Sequence, residues 1–205
     1  MLLSQFVTDF ATAMKEVDQC CPPATSARTS RIYQAGIGPY SEARAVELVV
    51  GELKRMSPHT YLTLRTGIQY PGSRLTSDLA LGEPIEWVFE IKMARFLGDN
   101  NKPDDTAIKD ILSPFGVDRS AVTDCEKLLQ MGPNVRKAVI IYAFEAPNRP
   151  LPLIVRAFEL LAGSRVVLGP IESAPLQQLK HPVHSTASVF GWEILGLCPS
   201  PRASP

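Results

Sequence analysis

Residues 75–94 read LTSDLALGEPIEWVFEIKMA, and the fold turns on how that stretch is parsed. Over 86–92 the side chains alternate with the two-residue period of a strand, which puts Trp87, Phe89 and Ile91 on one face and Val88, Glu90 and Lys92 on the other. Three large apolar side chains in a row call for a covering helical layer. The opposite face carries a carboxylate and an ammonium side by side. Gly82, Glu83 and Pro84 form a turn between this strand and 75–81, and an antiparallel hairpin across it brings Asp78 next to Glu90.

Working outward, Pro71-Gly72 separates 75–81 from another expected strand at 61–70. A helix is predicted at 41–56, with Ser41 as its N-cap and Pro58 just past its end. Residues 20–40 are dominated by Pro, Ser, Thr and Gly and read as a linker. Before them, Leu3, Phe6, Val7, Phe10, Met14 and Val17 recur at the spacing of an amphipathic helix.

Downstream, 97–116 is polar and contains Pro103 and Pro114, so it reads as a long loop or insertion. A helix at 120–131 stops at Gly132-Pro133, and KAVIIYAF at 137–144 is apolar enough to be a central strand covered on both sides. A helix at 151–162 and short strands at 166–168 and 189–197 complete the series. This order predicts an α/β fold, a mixed central sheet flanked by helices on both faces. The expected organisation is an N-terminal helix and linker over 1–40, an α/β domain over 41–198 and a disordered tail over 199–205.

Composition narrows the function. The chain has 205 residues, 45% of them apolar, which is enough for a real core. Lys plus Arg and Asp plus Glu each number 21, so no global basic field exists, although a local basic groove is still allowed. The 4 cysteines form no CxxC or Cys/His cluster, which argues against a structural zinc site or a disulfide framework. No apolar run reaches the roughly 20 residues of a membrane span, and the N-terminus has no basic n-region. A reduced, cytoplasmic protein without a membrane partner is the expectation.

Two carboxylates at the separation expected for Asp78 and Glu90 can share a hard divalent cation such as Mg²⁺ or Mn²⁺. Such an ion acidifies water and neutralises charge building on a phosphate oxygen, while a neighbouring lysine, here Lys92, orients or deprotonates the attacking water. The set suits phosphodiester hydrolysis.

In order and spacing, Asp78, Glu90 and Lys92 in the frame E-I-K resemble the PD-(D/E)XK nuclease superfamily, whose fold is the restriction-endonuclease-like core. Ser77 stands where that family often has proline. The sequence of elements from the helix at 41 to the strand ending near 145 is similar to the family core. The resemblance implies a metal-dependent nuclease acting on nucleic acid, with DNA as the expected substrate. It also implies a metal-supporting role for Glu42, which falls near the centre of the first helix's apolar face, and site-facing roles for Asp124 and Lys127. Many such nucleases cut as homodimers, and the amphipathic N-terminal helix offers a surface for one.

Other features point less sharply. Arg65, Arg74 and Arg95 lie on or beside the three strands and could touch phosphates. His181 and His184 read as loop residues, and Cys125 as a small buried hydrophobe. An E-x-K pair alone is also what a surface salt bridge looks like. The competing reading is therefore a non-catalytic module that binds nucleic acid or protein on the same fold. A small metal-dependent phosphoesterase acting on nucleotides would use the same residues in a closed pocket.

Overall fold

The structure, a computed structural model, describes residues 1–21, 25, 30, 32, 34–104, 106–147 and 150–199. Residues 200–205 of the tail expected at 199–205, and most of the linker between 22 and 33, lie outside the described residues. In chain order the elements are helix α1 (Leu3–Cys20), α2 (Glu42–Met56) and α3 (Pro58–Tyr61), then strands β1 (Arg65–Thr66), β2 (Leu79–Leu81) and β3 (Trp87–Arg95). Helix α4 (Thr106–Leu112), a 3₁₀ turn at Gly116–Asp118, α5 (Ala121–Leu128), β4 (Arg136–Phe144) and α6 (Leu151–Gly163) follow. Strands β5 (Val166–Leu168), β6 (Glu172–Leu176) and β7 (Ala187–Leu197) end the fold.

The strands make one mixed sheet in the order β1-β2-β3-β4-β7-β5, with β6 also paired to β7. β3 and β4 run parallel, Trp87 opposite Arg136 through Arg95 opposite Phe144, and every other pairing is antiparallel. A parallel pair needs a crossover, and α4 and α5 supply it. The sheet separates two apolar layers. Trp87, Phe89 and Ile91 face α1 and α2, whereas Val88, Val139 and Ile141 face α4, α5 and α6. The α/β class and the helices on both faces therefore stand. Among the described residues no helix is long and apolar enough to cross a membrane.

Several expectations change. Helix α1 belongs to the core of the domain. Phe6, Val7, Phe10 and Met14 are fully buried, and the helix packs on α2, β6 and β7. Each such side chain contributes about 1.5–3 kcal/mol by leaving water, so the face considered for a dimer is spent inside the molecule. The strand expected at 61–70 is only β1, because Pro58 opens the short helix α3 and Tyr61 caps the first apolar layer. The loop at 97–116 contains α4, which buries Ala107 and Ile111. Strand β6 has no counterpart among the expected elements: Pro175 argues against a strand, but Ala174 and Leu176 turn inward and the segment is held by pairing to β7.

Candidate functional site

The site lies where β2 peels away from β3. β2 has 3 residues and β3 has 9, so the edge N–H groups of β3 beyond Phe89 lose their strand partner. A buried N–H needs an acceptor, and two carboxylates provide it. Asp78 Oδ2 accepts from Ile91 N at 2.7 Å, and Glu42 Oε2, from the first turn of α2, accepts from Met93 N at 2.5 Å. With Leu79 opposite Phe89, the ladder carried one step further sets Asp78 against Glu90.

On the other side, α5 is started by Ser120, whose hydroxyl accepts from Thr123 N at 3.2 Å. Its register then turns Asp124 and Lys127 onto β3. Lys127 Nζ lies 3.0 Å from Glu90 Oε1 and 2.9 Å from Asp124 Oδ1, and Lys92 Nζ lies 3.0 Å from Asp124 Oδ2. The Tyr70 hydroxyl donates to Glu90 Oε1, and the Lys127 ammonium sits 5.4 Å from the centre of the Tyr70 ring. Asp78, Glu90, Lys92, Asp124 and Lys127 line a cavity of about 980 Å³. Glu90 and Asp124 are buried at its floor, while Arg74, Val117 and Arg119 are exposed at its rim.

Electrostatics follow from this crowding. Burial, then the Asp78 and Asp124 carboxylates, push Glu90 up to about 8 against the pull of Lys127 and Tyr70. Burial pushes Glu42 up to about 7, with Lys92 opposing. Burial alone would lower both lysines. The neighbouring carboxylates together outweigh it, Asp124 with Glu42 for Lys92 and Asp124 with Glu90 for Lys127, so both ammonium groups are held above the ordinary lysine value. Burial and Glu90 likewise keep the Tyr70 phenol protonated.

The donor set fits a hard divalent cation. Among the described residues no hydrogen bond takes Asp78 Oδ1 or Glu90 Oε2, and the Asp78 charge adds to burial in raising Glu90. Mg²⁺ is commonly held by one or two carboxylates, with water and phosphate completing the shell. Among the described residues, no three His, Cys, Asp or Glu side chains converge as a ready-made metal cage. Glu42, held by Met93 N, lines a different hollow, which it shares with Asp78, so it stands as a neighbour of the pair.

Of the arginines considered for phosphate, only Arg74 lines the cavity. Arg65 sits on the edge strand 4.0 Å from Glu83. Arg95 is engaged elsewhere, donating to Gly38 O at 2.7 Å and pairing with Asp99 at 3.7 Å. Tyr70 and Arg119 escape a reading by periodicity. The signal for Tyr70 is chemical, since a carboxylate buried on a strand face requires donors and a hydroxyl next to a turn can reach it. Cys125 is buried and donates to Ala121 O, as its apolar setting requires. No family model, curated protein or solved structure matches the chain.

Proposed function

We propose that this chain is a metal-dependent nuclease that hydrolyses phosphodiester bonds, in DNA by preference, on a restriction-endonuclease-like core. The observation that carries the reading is the convergence of Asp78, Glu90 and Lys92 on one cavity wall, at the end of a hairpin and beneath a helix that adds Asp124 and Lys127. Asp78 and Glu90 would hold Mg²⁺ or Mn²⁺. When bound, the cation supplies charge neutralisation at a phosphate oxygen and a more acidic water.

The protein's own groups divide the remaining work. Lys92, kept charged by Asp124 and Glu42, acts as a donor that positions the attacking water and stabilises negative charge on the phosphate. Its protonation argues against a role as general base. Asp124 is a positioning residue that fixes both lysines. Tyr70 holds the Glu90 carboxylate in place through its hydroxyl. Arg74 and Arg119 offer rim charges to the phosphates on either side of the scissile bond.

The test is cleavage of single-stranded DNA, duplex DNA and RNA with Mg²⁺ or Mn²⁺ by the wild type, Asp78→Ala and Lys92→Ala. Metal-dependent cleavage lost in both variants, with circular dichroism unchanged, supports the reading. Cleavage retained by either variant removes that residue from the mechanism. One observation favours a second reading, a non-catalytic module that binds nucleic acid or protein: Lys127 already compensates Glu90 and Asp124 without a metal. Binding of nucleic acid with no cleavage under any metal would decide for it.

A further inference from the structure

The cavity rim carries a feature that catalysis leaves unused. Between α4 and α5 the chain runs Ser113, Pro114, Phe115, Gly116, Val117, Asp118, Arg119, and two of its large hydrophobic side chains face water: Phe115 is 67% and Val117 90% exposed. Single exposed apolar residues are ordinary. These two differ in that the segment bearing them is pinned from several directions. The Ser113 hydroxyl donates to Asp118, which also pairs with Lys109 at 2.8 Å. Asp118 N donates to Phe115 O at 2.9 Å, and Arg165, reaching from beyond α6, donates to Pro114 O at 2.9 Å. Arg119 closes the turn at a φ of 51°, which a non-glycine residue seldom adopts. Gly116, Val117 and Arg119 all line the catalytic cavity. A stiff platform thus holds an aromatic ring and a branched aliphatic chain beside the cationic rim.

We infer that Phe115 and Val117 form a stacking wedge for an unpaired nucleobase of a DNA strand whose phosphates lie along Arg74 and Arg119. The proposal rests on the nuclease reading and adds a substrate preference to it. A base inside a duplex has both faces covered by its neighbours. A ring carried next to Gly116 and Val117, on the segment that borders the rim, can therefore stack only on a base that is single-stranded, terminal or unpaired. Phe115 accepts any base, because every base has a π-face. Selection at this point is by strand structure, with no reading of base edges.

Fluorescence anisotropy in EDTA, with a labelled single-stranded oligonucleotide and the same strand annealed to its complement, tests the wedge. The wild type should bind the single strand more tightly. Phe115→Ala should weaken that binding about tenfold, the loss of roughly one base stack, and leave duplex binding unchanged. Phe115→Trp should retain it, and Val117→Ala should show a smaller loss. Because both side chains are largely exposed, these variants should fold normally. Single-strand affinity unchanged in Phe115→Ala, or no single-strand binding by the wild type, overturns the proposal. Cleavage assays on the same proteins keep the two ideas apart. Metal-dependent cleavage that needs Asp78 but is indifferent to Phe115 refutes the wedge and leaves the nuclease standing. Phe115-dependent binding without cleavage does the reverse.

Discussion

Lys127 on α5 reaches Glu90 on β3 at 3.0 Å, and Glu90 is 1% exposed. One ammonium thereby ties a helix to the floor of the cavity and shields a carboxylate that also faces Asp78. Removing either partner has unequal consequences. Lys127→Met leaves two buried carboxylates with less compensation and should cost about 1–3 kcal/mol in urea denaturation at neutral pH. The loss is bounded because Glu90 can keep its proton. Glu90→Gln retains an acceptor for Tyr70 and removes a repelled charge, so it should be near neutral for the metal-free fold while abolishing divalent-cation binding. A Lys127→Met protein as stable as the wild type would show that the ion network adds nothing to the fold.

The raised acids make stability depend on pH in a defined direction. Glu42 and Glu90 titrate at about 7 and about 8 in the fold, against an ordinary value of 4.5. The folded state therefore holds protons that the unfolded chain has released. Their contribution is fully present below pH 4.5 and is lost as pH rises through about 7 and then 8. Below 6.5 the buried histidines act oppositely, because burial lowers His181 and brings His184 down to about 4. The clean window is thus pH 6.5 to 8, in which the metal-free protein should become easier to unfold and Glu90→Gln should flatten the slope. Cation binding must displace the Glu90 proton. Calorimetry of the wild type in buffers of different ionisation enthalpy should record proton release on cation binding below pH 8 that fades as the pH is raised past 8.

Much of this site can be read from residues 75–94, because strand alternation leaves Glu90 and Lys92 only one face and a hairpin leaves Asp78 only one neighbour. Asp124 and Lys127 are visible for the same reason on a helix, where a spacing of three shares a face. Arg95 shows the limit. It lies on the same strand as Glu90 and Lys92, but continued alternation puts it on the opposite face with Trp87, Phe89 and Ile91, where Gly38 and Asp99 claim its guanidinium. The turn expected at Pro71-Gly72 is present, with Tyr70 N donating to Leu75 O, but nothing in the local spacing says that the Tyr70 hydroxyl ends on Glu90. His181 and His184, read as unrelated loop residues, stack at 4.8 Å in the interior. No local pattern specifies such closure.

That histidine pair constrains the glycines beside it. A Cβ at Gly38 would stand 2.6 Å from the His184 ring, and the ring has no free side: His181 stacks on it and Phe144 lies 5.1 Å away. Gly38→Ala should destabilise the protein by about 1–3 kcal/mol through overpacking. Combining it with His184→Gly should recover part of that loss, because the atoms in the way, Cδ2 at 2.6 Å and Cβ at 2.7 Å, both belong to the His184 side chain. Thermal unfolding of the two single variants and the double variant measures the coupling. Strict additivity would mean that the backbone at 36–40 yields more readily than its anchor suggests, the hydrogen bond from Ile37 N to Asp18 at 2.8 Å.

Helix α1 gives the strongest stability prediction. The Phe6 ring stacks on Phe89 with centroids 4.0 Å apart and planes 12° from parallel, and Phe89 in turn stacks on Trp87. The face of β3 opposite Glu90 and Lys92 is therefore covered by the N-terminal helix. Phe6→Ala should cost about 3–5 kcal/mol, the range for emptying a buried aromatic position, whereas Phe6→Leu should cost less because most of the volume stays filled. The effect should extend to the site. Phe89 and Ile91 flank Glu90 on the same strand, and a shift of β3 would move Glu90 relative to Asp78. In Phe6→Ala, divalent-cation affinity measured well below the melting temperature should fall with stability. A large loss of stability with unchanged affinity would mean that α1 covers the sheet without aligning β3 for the site.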